Sequence, residues 1–189
     1  MSNFPNIANN IDYALITEKK LQARIEEIAF QIEADYAGID LLLICVLKGG
    51  YIFLSDLSRA IKMSHHVDFM AVSSYEGKST ESSGVVQIMM DLKQPLAGRH
   101  VLIVEDIIDS GRTLSYLRQL LLAREPASLE ICTLLTKPSR REVDVDVKYI
   151  GFEIPDEFVV GYGLDFDEYY RNLPYIAVLK PETFAHLNA

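Results

Sequence analysis

The chain predicts an α/β fold with a mainly parallel, twisted sheet flanked by helices. Residues 41–47 and 101–104 are continuous apolar runs of strand length, and 129–135 is a mainly apolar run interrupted by Glu130 and Thr133. Such runs belong to strands covered on both faces, as in parallel sheets. A second observation is the residues at the end of each run. Lys48-Gly49-Gly50, Glu105-Asp106 and Thr136-Lys137-Pro138 place charge and turn residues at strand carboxyl ends, where open α/β sheets bind ligands. Between the runs, apolar residues recur at helical spacing.

Taken in order, Thr17 can cap a first helix whose Leu21, Ile25, Ile28, Ala29, Ile32 and Tyr36 share one face, closed by Gly38. That stripe reads as the cover of a sheet. After the run 41–47 and its two glycines, a helix is expected from about residue 51 to 62. Two glycines on their own are also consistent with a tight connection and nothing more. His65 and His66 are adjacent and point in different directions, which makes them poor metal ligands. Residues 67–72 and 85–90 read as strands. The polar run between them is long for a hairpin, and such loops are lids or disordered excursions. Residues 143–151 alternate in polarity. The stretch 152–165, rich in Gly, Pro and aromatics, either wraps a flat ligand or forms an aromatic core corner. Residues 175–179 are a last strand. No repeat or linker divides the chain, so residues 1–189 are expected to form one unit.

The chemistry concentrates at residues 101–114. A four-residue β-branched and apolar strand is followed by Glu105 and Asp106, then by the small-residue turn Asp109-Ser110-Gly111-Arg112-Thr113. Leu114, Leu117, Leu120 and Leu121 continue as a helix that stops before Pro126. A turn rich in backbone N–H groups at a helix N-terminus suits a phosphate. Two carboxylates just upstream supply acceptors for sugar hydroxyls. One loop could therefore hold both ends of a ribose 5-phosphate. The spacing fits neither a P-loop nor a dinucleotide turn. The alternative is an ordinary loop whose acids are solvated.

The segment VEDIIDSGRTL resembles the phosphoribosyl-pyrophosphate (PRPP) signature of the type I phosphoribosyltransferases, in the wording of their hypoxanthine(-guanine) branch. The resemblance extends over most of residues 41–180. It implies the type I fold with a small hood over the base, built from the N-terminal residues and about 151–179. It further implies Mg2+-dependent transfer of 5-phosphoribosyl from PRPP to N9 of hypoxanthine, with guanine as a second base. In that reading Glu105, Asp106, Asp109, Ser110, Gly111, Arg112 and Thr113 bind the ribose and its phosphate, Arg112 through its backbone more than its side chain. Asp109 is the catalytic proton acceptor. Lys48, Gly49 and Arg171 meet pyrophosphate, and the Lys48-Gly49 step can be cis. Lys137 donates to O6 of a 6-oxopurine, Phe158 stacks on the ring and the Val159 backbone reads the base edge. Ser74 and Tyr75 belong to a lid. Glu105, Asp106 and Asp165 serve the metal. Arg140 and Arg141 read instead as a solvated basic turn.

Composition limits the alternatives. With 189 residues, 49% of them hydrophobic and 24% charged, the chain suits one domain with a substantial core. A net charge of −9 disfavours nucleic acid as a partner. Cys45 and Cys132 lie in apolar runs and read as buried thiols in a reducing, cytoplasmic setting. Residues 1–10 do not read as a secretion signal, and no apolar run is long enough to span a membrane. The resemblance also implies a homo-oligomer, dimer or tetramer. Two other functions are compatible with the motif: transfer to another base such as xanthine or uracil, and a PRPP-sensing regulator that binds nucleic acid.

Overall fold

The computed structural model describes residues 7–74 and 86–184. After a 3-10 turn at Ile7–Asn10, the elements are β1 (Ile11–Ile16), α1 (Glu18–Asp35), β2 (Leu41–Leu47), α2 (Tyr51–Ala60), β3 (His66–Ser74) and β4 (Val86–Met90). The chain continues through β5 (His100–Ile108), α3 (Arg112–Leu122), β6 (Ser128–Thr136), β7 (Tyr149–Glu153), β8 (Val159–Val160), β9 (Ile176–Leu179) and α4 (Pro181–Phe184). Six strands form the larger sheet in the order β4-β3-β2-β5-β6-β7. All its neighbours are parallel except β4, which returns antiparallel to β3.

The continuous apolar runs have the expected cause. Along β2, Leu41, Leu43 and Cys45 enter the core beneath α1 and α2, whereas Leu42, Ile44 and Val46 enter the core beneath α3. β5 alternates in the same way, with Leu102 and Val104 on one side and Val101 and Ile103 on the other. Both faces are dry along Leu41–Leu47 and Val101–Val104, so no polar residue interrupts either run. α1 buries the face read from sequence, Leu21, Ile25, Ile28, Ala29 and Ile32, and Thr17 accepts from the Lys20 amide at its start. Cys45 and Cys132 are free, buried thiols. Among the described residues, no helix is long and apolar enough to cross a membrane.

The chain moves outward from β2 to β3 on one side, and from β5 to β6 to β7 on the other. The sheet order therefore reverses between β2 and β5, the switch point at which open α/β sheets leave a crevice. β5 runs further than its apolar run predicts. Its backbone stays paired with β6 through Glu105↔Thr133 to Ile108↔Thr136, so both acids lie within the strand. Hydrogen bonding to a neighbour, which local hydropathy does not record, sets the strand's end.

A second, three-stranded sheet joins β1, β9 and β8, each pair antiparallel. It joins residues of the N-terminus to residues 159–179, the segments for which a hood was expected, whereas Gly151–Glu153 belong to β7, which pairs with β6 as the edge of the larger sheet. The alternation over 143–151 is only partly strand. Glu142 and Val143 donate their amides to Ser110 O, and Val145 and Val147 pack on the α3-side core. That run is a tether to the loop before α3.

Candidate active site

The loop after β5 has the geometry of an anion cradle. Gly111 adopts φ +83, a left-handed conformation that leads directly into α3. A Cβ there would stand 2.5 Å from Val143 O, so glycine is required on two counts. The amides of Ser110 and Gly111 donate to no group among the described residues, and the Arg112 amide reaches Ser110 Oγ only at 3.4 Å. A cavity of about 230 Å3 opens over this turn, lined by Glu105, Asp109, Ser110, Gly111 and Thr113, among others. The Arg112 side chain turns away to pair with Glu142.

Glu105 is 8% exposed, and no hydrogen bond or ion pair to its carboxylate exists among the described residues. Burial, followed by the charge of Asp106, pushes its pKa well above the ordinary glutamate value. Burial also raises Asp106 to about 6, opposed by backbone N–H groups and by Arg171. The folded state thus holds these protons more tightly than the unfolded chain. The stability this contributes is present at low pH and is lost as pH rises through the raised values. A cation at the pair would reverse that penalty. No cluster of three or more acidic, His or Cys ligands occurs among the described residues. That donor set fits a Mg2+ ion held by one or two carboxylates and completed by water and substrate oxygens.

Opposite these acids lies the turn after β2. The structure has one cis peptide bond there, at Leu47–Lys48, one bond earlier than the Lys48-Gly49 step that the resemblance implied. A Cβ on Gly49 would fall 1.5 Å from Asp106 Oδ2, so this backbone lies flat against the carboxylate. Gly49 O in turn approaches Gly163, at φ +103, where a Cβ would be 2.1 Å away. Arg171 donates to Gly163 O at 2.8 Å and pairs with Asp165 at 2.8 Å. Glu168 bridges the two cations, accepting from Lys48 Nζ at 2.9 Å and from Arg171 at 3.2 Å. Hydrogen bonds from Lys48 and then Arg171 lower its pKa. Lys48, Gly49, Asp106, Asp165 and Arg171, scattered along the sequence, meet here. Glu168 was not foreseen; its signal was an acid three residues before Arg171.

A larger cavity of about 580 Å3 separates the two sheets, lined by Asp109, Lys137, Arg140, Asp156, Phe158 and residues of β1, β9 and α4. Lys137 is only 8% exposed, unusual for a lysine at a strand end, and its ammonium lies 3.8 Å from Asp156. Phe158 meets Phe166 edge to face, with centroids 5.5 Å apart. Val159 is buried in β8, paired with Val178, and does not line the cavity. Arg140, expected to be solvated, donates from Nε to Asp109 Oδ1 at 3.1 Å and reaches Asp156 at 3.7 Å. These carboxylates, Asp109 first, raise its pKa. Asp12 and Tyr13 also line the wall, and Tyr13 donates to Glu157 at 2.5 Å. Nothing local in the sequence marks β1 for this position. Ser74 ends β3 opposite Val86, while its proposed lid partner Tyr75 lies outside the described residues.

Asp109 is the residue common to both cavities. The model of the phosphoribosyl transferase domain matches residues 14–167, most of the chain. The chain belongs to the phosphoribosyltransferase family. It is similar to the hypoxanthine-guanine phosphoribosyltransferase of Mycobacterium avium, 53% identical over 93% of this chain and 89% of that one. It is 54% identical to the hypoxanthine phosphoribosyltransferase of Escherichia coli over 86% of this chain and 92% of that one. Among solved structures, a Staphylococcus aureus hypoxanthine phosphoribosyltransferase superposes with a TM-score of 0.91 at 48% identity, covering 97% of this chain and 99% of that one. These likenesses place the acidic pair of β5 and the turn before α3 inside the matched domain of this phosphoribosyltransferase.

The contact between Gly49 and Asp106 makes a direct test. Gly49→Ala must displace the carboxylate or the turn, and a shift of about 1 Å at a reacting centre costs on the order of 100-fold. Steady-state turnover is expected to fall by about that factor while the circular-dichroism melting curve stays near wild type. Wild-type turnover in the variant would contradict the geometry.

Proposed function

We propose that this chain transfers a 5-phosphoribosyl group from PRPP to N9 of hypoxanthine, forming IMP and pyrophosphate. Guanine is a second base and Mg2+ the metal. The observation that carries the reading is the position of Asp109, on the wall shared by the cavity over the Ser110–Gly111 amides and the cavity holding Lys137 and Phe158. A ribose 5-phosphate in the first and a flat base in the second would join at that residue. The similarity to hypoxanthine-guanine and hypoxanthine phosphoribosyltransferases supports hypoxanthine as the base.

Each subsite has a physical role. The free amides and the N-terminus of α3 bind the 5-phosphate. The carboxylates of Glu105 and Asp106 orient the ribose hydroxyls, and with Asp165 they would hold the metal. Bound there, Mg2+ supplies charge neutralisation for the diphosphate. Lys48 and Arg171 bind the same leaving group, Arg171 with a fork that matches phosphate oxygens. Lys137 donates to O6 of a 6-oxopurine. The amino group of adenine at that position offers no acceptor, so a buried lysine selects against adenine.

In the reaction, N9 attacks the anomeric carbon as the bond to pyrophosphate breaks, and positive charge develops on the ribose ring. The proton on N7 passes to Asp109. Arg140 engages Oδ1 only, which leaves Oδ2 without a partner among the described residues. The departing negative charge assists the transfer to this carboxylate. Catalysis is then mainly positioning and charge stabilisation.

An absorbance assay with PRPP and Mg2+ across hypoxanthine, guanine, xanthine, adenine and uracil tests the proposal. Turnover of hypoxanthine is expected and of adenine is not; activity confined to xanthine or uracil, or none with any base, would overturn it. Asp109→Asn is expected to lower kcat by about 100-fold or more, the scale of general acid–base catalysis, with PRPP affinity within a few-fold. Undiminished kcat would remove Asp109 from that role.

A further inference from the structure

The charges around the turn before α3 do not balance, and the imbalance points to Arg141, a residue whose sequence context suggests only a solvated turn. A 5-phosphate brings two negative charges, yet most cations near the loop already have an acid. Arg112 is paired with Glu142, and Arg140 is paired with Asp109 and Asp156. Arg141 forms no ion pair among the described residues. It is partly buried rather than solvated, and its NH2 group donates to Thr136 Oγ1 at 2.7 Å. Its NH1 atom is buried without any partner, one of two such side-chain atoms among the described residues.

The location of that orphan donor is specific. NH1 stands 3.1 Å from the point where a Cβ on Gly111 would lie, and the Arg141 Cδ stands 3.2 Å from it. Gly111 therefore lacks a side chain where the guanidinium packs. The following amides, Glu142 N and Val143 N, close on Ser110 O at 3.0 and 3.1 Å. The segment 141–143 thus supports the cradle from behind, with a cation at its centre. With no acid paired to it among the described residues, the guanidinium places its charge beneath the loop.

We propose that Arg141 is the positioning residue and built-in countercharge of the 5-phosphate loop. It braces Gly111 and supplies the positive potential that an otherwise acidic chain leaves uncompensated for this one substituent. Low dielectric strengthens the effect relative to an exposed lysine. The proposal rests on the reading that residues 109–113 take the 5-phosphate, and the test separates the two.

Calorimetric affinities for IMP and for inosine, which has the same base and ribose but no phosphate, are compared in wild type, Arg141→Gln and Arg141→Lys. Wild type is expected to favour IMP. Arg141→Gln should weaken IMP by about tenfold, as for loss of a charged hydrogen-bond partner, while inosine affinity stays within twofold. Arg141→Lys, which keeps the charge, should hold the IMP-to-inosine ratio within about threefold of wild type, and it serves alone if the glutamine variant does not fold. If wild type binds IMP no better than inosine, the phosphate reading fails and the proposal with it. If wild type discriminates and Arg141→Gln does so equally, or loses inosine as much as IMP, only the role of Arg141 is overturned. A lysine variant with no preference for IMP also overturns it.

Discussion

The structure depends on one costly arrangement: two adjacent carboxylates inside the end of a central strand, one of them with no partner among the described residues. Burying an ionised carboxylate without compensation is unfavourable, and burial accordingly raises the pKa of both Glu105 and Asp106. Their position follows from the fold. β5 lies beside β2 at the point where the strand order reverses, so its carboxyl end faces the crevice. Continued pairing with β6 holds the acids in a strand rather than a mobile loop. Rigid elements place them, and the proposed Mg2+ would compensate their charge there.

The same economy governs the cations. Lys48 and Arg171 are held by Glu168, Arg171 also by Asp165, Arg140 by Asp109 and Asp156, and Lys137 lies near Asp156. An arriving polyanion therefore exchanges partners instead of meeting bare charges. The exposed pairs Lys48–Glu168 and Arg140–Asp109 contribute about 0–1 kcal/mol each, so exchanging them costs little. This reconciles a chain of net charge −9 with a polyanionic substrate. Chain-held acids hold the side chains proposed to bind phosphate, and the metal would neutralise what they do not.

Much of this architecture is legible in the residues alone. Runs buried on both faces announce β2 and the first half of β5, because a dry environment on each side leaves no alternation to read. The cradle is legible because Gly111 and the residues around it are local chemistry. The features that escape the sequence depend on partners distant along the chain. Arg141 reads as solvated because its burial is created by Thr136 and Gly111. Glu168 becomes meaningful only once Lys48 lies beside it. The contribution of β1 to the base cavity cannot be read from Asp12 and Tyr13, since β9 and Glu157 bring them there. The end of β5 is misplaced by its hydropathy because pairing decides it.

Glu105 is a buried acid whose pKa burial raises, and the proposed cation would lower it again. Its carboxyl carbon can be followed by NMR through a pH titration, assigned by the resonance that Glu105→Gln removes. In the metal-free protein the midpoint should lie well above the ordinary glutamate value of about 4.3, and Mg2+ with PRPP should bring it down. A midpoint at or below that value in the free protein would contradict the account.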